Sequence, residues 1–235
     1  MEQYVVYSKT DHDLGDMKKD LKVGDISFTF LGYGVETTVE AETSGKALSK
    51  AEKSLQLLFK WISLLFNNHI TVEIIDVTDK NGRKGTRTIN EYPVSVKIKI
   101  TNYEDIVMSK LELLERRSKM IICPDNDLLF ALDSIVLGNQ IRALKGFSTT
   151  RYAILEYSRA IEKLIGTYKI PQVSKELRRK NMPEYVDRVK HALKIRNDYN
   201  VAHAYRNKSA DLKDADYVRD VAKDVFLKLT ERPIE

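Results

Sequence analysis

The chain has 235 residues with 43% hydrophobic content, enough for a large core in one or two domains and too apolar for a disordered polymer. Its single cysteine, Cys123, excludes an internal disulfide, and a net charge of +5 keeps a polyanionic partner open. The longest apolar run, Leu55 to Phe66, is broken by Lys60 and falls short of the roughly 20 residues a bilayer span needs. With charged Glu2 and Lys9 flanking only a short apolar stretch, no secretory leader is expected, which points to a reducing, cytoplasmic location without a membrane partner.

Taken in chain order, Tyr4 to Lys9, Ile26 to Leu31 and Val35 to Glu42 alternate apolar and polar residues and read as strands. Ser44 caps an expected helix to about Phe66, because Ala47, Leu48, Ala51, Leu55, Leu58, Ile62 and Leu65 recur at steps of three and four. Period-two patterning returns over His69 to Val77 and Pro93 to Thr101, with Asp79 to Gly82 as turn chemistry and Gly85 in a basic loop. Residues 1–102 are thus expected to form an α+β domain. A charged segment, 103–124, reads as a connecting helix that closes at Pro124.

From 125 to 235 no strand pattern remains, and an all-α bundle is expected. Asp125 or Asn126 caps a helix to about Lys145, and Ser148 or Thr149 opens a second whose face carries Ile154, Tyr157, Ile161, Leu164 and Ile165 before Gly166 and Pro171 stop it. Asn181-Met-Pro-Glu184 has capping-box spacing and predicts a third helix to about Asn207. Asp211 begins the last, with Val218, Val221, Ala222, Val225 and Leu229 as its stripe. Charge divides unevenly along the chain: residues 1–105 carry 14 Lys+Arg against 16 Asp+Glu, and residues 106–235 carry 25 against 18. The basic half is therefore the helical one.

The third helix of this half changes character along its length. Its seam through Val186, Val189 and Leu193 continues, by the same steps, onto Arg196, Asn200, His203 and Asn207. On a helix continuous to Asn207, Arg196 and His203 differ by only about 20° in azimuth and about 10 Å in height, so both side chains reach one small anion. The competing arrangement rolls the helix so that Ile195, Tyr199 and Ala202 pack while Arg196 and His203 face water. Spacing does not choose between the two.

Arg196, the polar Asn197 directly after it, and His203 after six intervening residues match the signature by which residues 125 to about 230 resemble the HEPN superfamily. The resemblance implies a metal-independent endoribonuclease without cofactor, acting as a homodimer in which two copies of the motif line one cleft, and found among toxins and effectors of antiviral defence. It implies Arg196, Asn197 and His203 as catalytic residues. In RNA the 2′-hydroxyl is an internal nucleophile, so positioning, one proton transfer and charge stabilisation at phosphate suffice, which an imidazole and a guanidinium supply. Asn200 and Tyr205 are candidate RNA contacts, as are Arg178, Arg179 and Lys180 in a loop ahead of the motif helix. Tyr205 also resembles the modified tyrosine of some HEPN toxins, which implies an antitoxin or regulatory partner. The alternative that the same resemblance implies is a non-catalytic module binding a nucleotide or a partner protein.

Remaining candidates carry less. His191 lies off the Arg196 face, His12 and His69 lack ligands at metal-binding spacing, and Gly32-Tyr-Gly34 lacks the pattern of a phosphate loop. Glu156 and Glu162 on the second bundle helix are able to face and hold the arginine, but exposed helix charges usually end in solvent, so neither enters the expected site.

Overall fold

The computed structural model describes residues 1–10, 20–67, 72–79, 125–144, 147–199 and 211–231. The expected strand at Pro93 to Thr101 and the connecting helix at 103–124 lie outside them. The chain divides into two compact units, Met1–Ile62 with Ile70–Pro124, and Ser63–His69 with Asp125–Glu235.

In the first unit, β1 (Glu2–Thr10), β2 (Leu21–Val23), β3 (Ile26–Leu31), β4 (Gly34–Ala41) and β5 (Val72–Asp79) form an antiparallel sheet in the order β2-β3-β4-β1-β5. Period-two patterning becomes one buried face: Tyr4, Val6, Phe28, Phe30, Val35 and Val39 are buried, and their neighbours along each strand are more exposed. Both hairpins close through two residues with glycine first, Gly24 at φ +64° and Gly32 at φ +58°, a left-handed conformation that costs glycine little. Gly32-Tyr-Gly34 is therefore hairpin chemistry. The strand Leu21–Val23 was not expected; its signal was the Gly24-Asp25 pair between two alternating stretches. Helix α1 (Ser44–Phe66) supplies the apolar layer a one-sided sheet requires, with Ala47, Ala51, Leu55, Leu58 and Ile62 buried, and Lys50 pins it by an ion pair to Asp25 and a bond to the Glu40 carbonyl.

The second unit holds α2 (Asn126–Ala143), α3 (Phe147–Ile165), α4 (Val173–Arg179), α5 (Val186–Asp198) and α6 (Leu212–Thr230). The Asp125 carboxylate accepts from the Asp127 N–H at 2.7 Å and the Asp211 carboxylate from the Lys213 N–H at 2.9 Å, so both expected caps form. Helix α3 packs along α2 and α6, and α5 lies against α6 and α3. Among the described residues, no helix is long and apolar enough to cross a membrane.

Two expectations for the third bundle helix are corrected. Asn181 is not its N-cap: it sits at φ +51°, with its N–H on Arg178 O at 3.0 Å and the Met182 N–H on Leu177 O at 2.8 Å. That pair of bonds is the Schellman ending of the short helix α4, sealed by buried Leu177 and Met182. A short helical turn, Pro183–Tyr185, then leads into α5. The helix also stops early, at Asp198 with Tyr199 as C-cap instead of near Asn207, because Arg151 donates to the Tyr199 carbonyl and the buried Tyr199 hydroxyl donates to Asp214 at 2.6 Å.

A buried polar chain fixes the centre of this unit. Tyr157 of α3, fully buried, donates to Asn139 Oδ1 at 2.9 Å, and Asn139 Nδ2 donates to the Ser63 carbonyl at 3.1 Å. Burial pushes the Tyr157 phenol well above its usual range, so it remains a donor at every physiological pH. Lys223 of α6 donates to the Leu65 carbonyl at 2.8 Å and to Asn67 at 3.1 Å, a cation at the C-terminal end of α1. Gly138 makes the close approach possible: a Cβ there would lie 2.3 Å from the Tyr157 ring. Alanine is favoured over glycine inside a helix by about 1 kcal/mol, whereas overpacking a fixed core costs typically 1–3 kcal/mol. Gly138→Ala is accordingly expected to lower the denaturant midpoint despite its better helix propensity; an unchanged or raised midpoint would show that the Tyr157 ring is free to move aside.

Candidate functional site

Arg196 occupies the last turn of α5, and its side chain points inward: it is only 17% exposed. Its Nη1 forms an ion pair with Glu162 Oε1 of α3, whose side chain is 24% exposed. On the other edge, Nε and Nη2 donate to Asn197 Oδ1 at 3.1 and 2.7 Å. A guanidinium carries its N–H groups in a rigid planar fork suited to a phosphate or carboxylate; among the described residues Asn197 accepts from Nε and Nη2, and Glu162 faces Nη1.

Each feature has a local cause. Leu193, Ala192 and Val189 carry the buried seam, and the next step of that seam is Arg196, so the helix directs a charge toward the interior where α3 supplies the counter-charge. Ile195 and Tyr199 are buried as well, at 6% and 3% exposure. Val189 and Leu193 of the first seam and Ile195 and Tyr199 of the competing one are thus buried together, Ala202 and His203 lie outside the described residues, and Arg196 is not released to water. Burial draws the Arg196 guanidinium below the usual arginine value, which starts so high that the group stays charged at neutral pH. The C-terminal end of α5 carries partial negative charge, which also favours a cation there.

The expected site residues fall into three groups. Arg196 and Asn197 are brought together. His203, Asn200 and Tyr205 lie outside the described residues, and because α5 ends at Asp198 the azimuth of a continuous helix does not relate His203 to Arg196. Arg178, Arg179 and Lys180 sit in the last turn and C-cap of α4, not in a loop, with Arg178 and Arg179 exposed and Arg179 paired to Glu176 at 3.0 Å. His191 meets Tyr217 edge-on at 4.9 Å between ring centres, an ordinary helix-to-helix contact.

Glu162 is the residue the expected site omitted. The signal for it was its position on α3, one turn past the buried Ser158 and next to the buried Ile161, where a carboxylate requires a partner. Glu156, weighed with it, pairs with Arg159 on the same helix instead. No family model, no curated protein and no solved structure matches the chain.

Removing one partner of a mostly buried pair strands the other charge, while removing both does not. Arg196→Met and Glu162→Gln should each destabilise the protein by about 1–3 kcal/mol, and the double variant by clearly less than their sum. Urea unfolding of the four proteins measures this; strictly additive losses would mean that the two side chains do not interact.

Proposed function

We propose that the chain is a metal-independent endoribonuclease of HEPN type, acting as a homodimer through Arg196, Asn197 and His203, in a toxin or antiviral-defence role. The observation that carries this reading is a guanidinium at the end of α5 held from two sides, by Glu162 and by Asn197. A fork held in advance loses little freedom when it meets a phosphodiester and is aimed where charge develops in the transition state. The excess of basic residues in 106–235 favours approach of a polyanion.

The proposed step forms a bond between the 2′-oxygen and the adjacent phosphorus and breaks the bond from phosphorus to the 5′-oxygen. The 2′ proton passes to one imidazole and a proton from another reaches the departing 5′-oxygen, with His203 of the two protomers filling these roles. Arg196 bonds the non-bridging oxygens as their charge rises, and Asn197 keeps the fork in plane. The products are a 2′,3′-cyclic phosphate and a 5′-hydroxyl, with no water consumed.

One observation favours the second reading, a non-catalytic module for a nucleotide or a partner protein: the Arg196 charge is already balanced by Glu162, which weakens its pull on phosphate. Incubating the purified protein with total RNA in EDTA separates the two. The ribonuclease reading predicts fragments ending in cyclic phosphate, and loss of activity by at least a hundredfold in Arg196→Ala and in His203→Ala with the oligomer intact, in line with typical effects of acid–base and electrostatic groups. Intact RNA with the wild-type protein, or cleavage that survives both substitutions, defeats it.

A further inference from the structure

One groove among the described residues borders the Arg196 pair and is not used by the proposed chemistry. It has a volume of about 410 Å³ and runs between the start of α2 and the end of α3, with Glu162 in its wall. Gly166, at φ +81°, ends α3 and turns the chain so that the following residues up to Tyr168 form the far side. Two large rings stand open to solvent there, Phe130 at 48% and Tyr168 at 63% exposure. Each has a cation over it: Lys163 Nζ is 5.8 Å from the Phe130 ring centre, and Lys169 Nζ is 5.6 Å from that of Tyr168.

The charges in the groove are balanced and ordered. Lys163 also pairs with Asp127 at 2.8 Å, Arg159 pairs with Glu156, and Glu162 pairs with Arg196. The carboxylates of Asp127 and Glu162, each already paired with a cation, keep lone pairs that accept hydrogen bonds from the amino group of a heterocycle. Rings as exposed as Phe130 and Tyr168 offer such a heterocycle a stacking surface, and the lysines beside them hold the phosphates on either side of it. We propose that this groove is a subsite for one unpaired nucleobase of single-stranded RNA, stacked on Tyr168 or Phe130 beside Arg196. The proposal rests on the ribonuclease reading for the identity of its ligand, and it adds two properties: the substrate is unpaired at this position, and a base with an amino donor is preferred to uracil.

A duplex buries the faces of its bases, so stacking on these rings is open only to single strands. The test uses the full chain and fluorescently labelled 2′-O-methyl oligonucleotides of about twelve nucleotides, which bind without being cut, followed by anisotropy. Tyr168→Ala and Phe130→Ala should weaken binding of a mixed A/C strand by about five- to a hundredfold for whichever ring carries the base, while Tyr168→Phe retains wild-type affinity. A poly-U strand should bind more weakly than the A/C strand, and a duplex should be insensitive to both alanine substitutions. Affinity unchanged within about twofold in both alanine variants overturns the proposal, as does an equal loss for duplex and single strand, or a change in oligomer mass with RNA affinity intact. Binding through either ring by a protein that fails to cut RNA would support the groove and defeat the nuclease reading. Cutting by a protein whose affinity ignores both rings would do the reverse.

Discussion

A charged guanidinium directed into a helical interior has to be matched, and the pairing of Arg196 with Glu162 is the constraint from which the local architecture follows. It joins α5 to α3 at a defined height, since neither charge can leave without stranding the other. Asn197 then restrains the remaining edge of the fork, and Arg151 and Tyr199 stop α5 immediately beyond it. Burial, reinforced by the bond to Asp214, pushes the Tyr199 phenol above its usual value, so the hydroxyl remains a donor through the physiological range. The arginine thus sits at a terminus anchored on both sides, where a fraying helix end would otherwise blur its position.

Helix α3 links this arrangement to the rest of the second unit. Within it, Tyr157 reaches through Asn139 to the carbonyl of Ser63, Glu162 holds Arg196, and Lys163 faces the groove with Phe130. A polar chain that is fully satisfied sets one register for the helix, whereas purely apolar packing tolerates small shifts. Gly138 allows this register because a side chain there would displace the Tyr157 ring. The proposed chemistry depends on such precision, since a misplacement of about 1 Å at a reacting group costs orders of magnitude in rate.

Periodicity made much of the molecule legible. The strands β1, β3 and β4, the helix α1 and the caps Asp125 and Asp211 followed from patterns in which each residue's role is decided by its neighbours in sequence. The failures have a common cause in tertiary context. Asn181 to Glu184 carries the letters of a helix start, yet Leu177 and Met182 gain more by burial at a helix stop, and the same asparagine serves in the left-handed position. Tyr199 ends α5 because its hydroxyl finds Asp214 on a different helix, a contact no local window contains. Glu162 was visible as a candidate, but its choice between solvent and Arg196 depends on the approach of α5 to α3, which periodicity does not specify. Arg196 itself was legible as the point where an apolar seam turns polar.

The most direct test is a crystal structure of the full chain with an uncleavable 2′-O-methyl RNA strand. The account predicts a phosphate oxygen within hydrogen-bond distance of Nη1 or Nη2 of Arg196, with the His203 imidazole on the same phosphodiester and Glu162 still paired. A strand bound elsewhere with the Arg196 fork untouched, or His203 directed away from the phosphodiester that Arg196 holds, would contradict it.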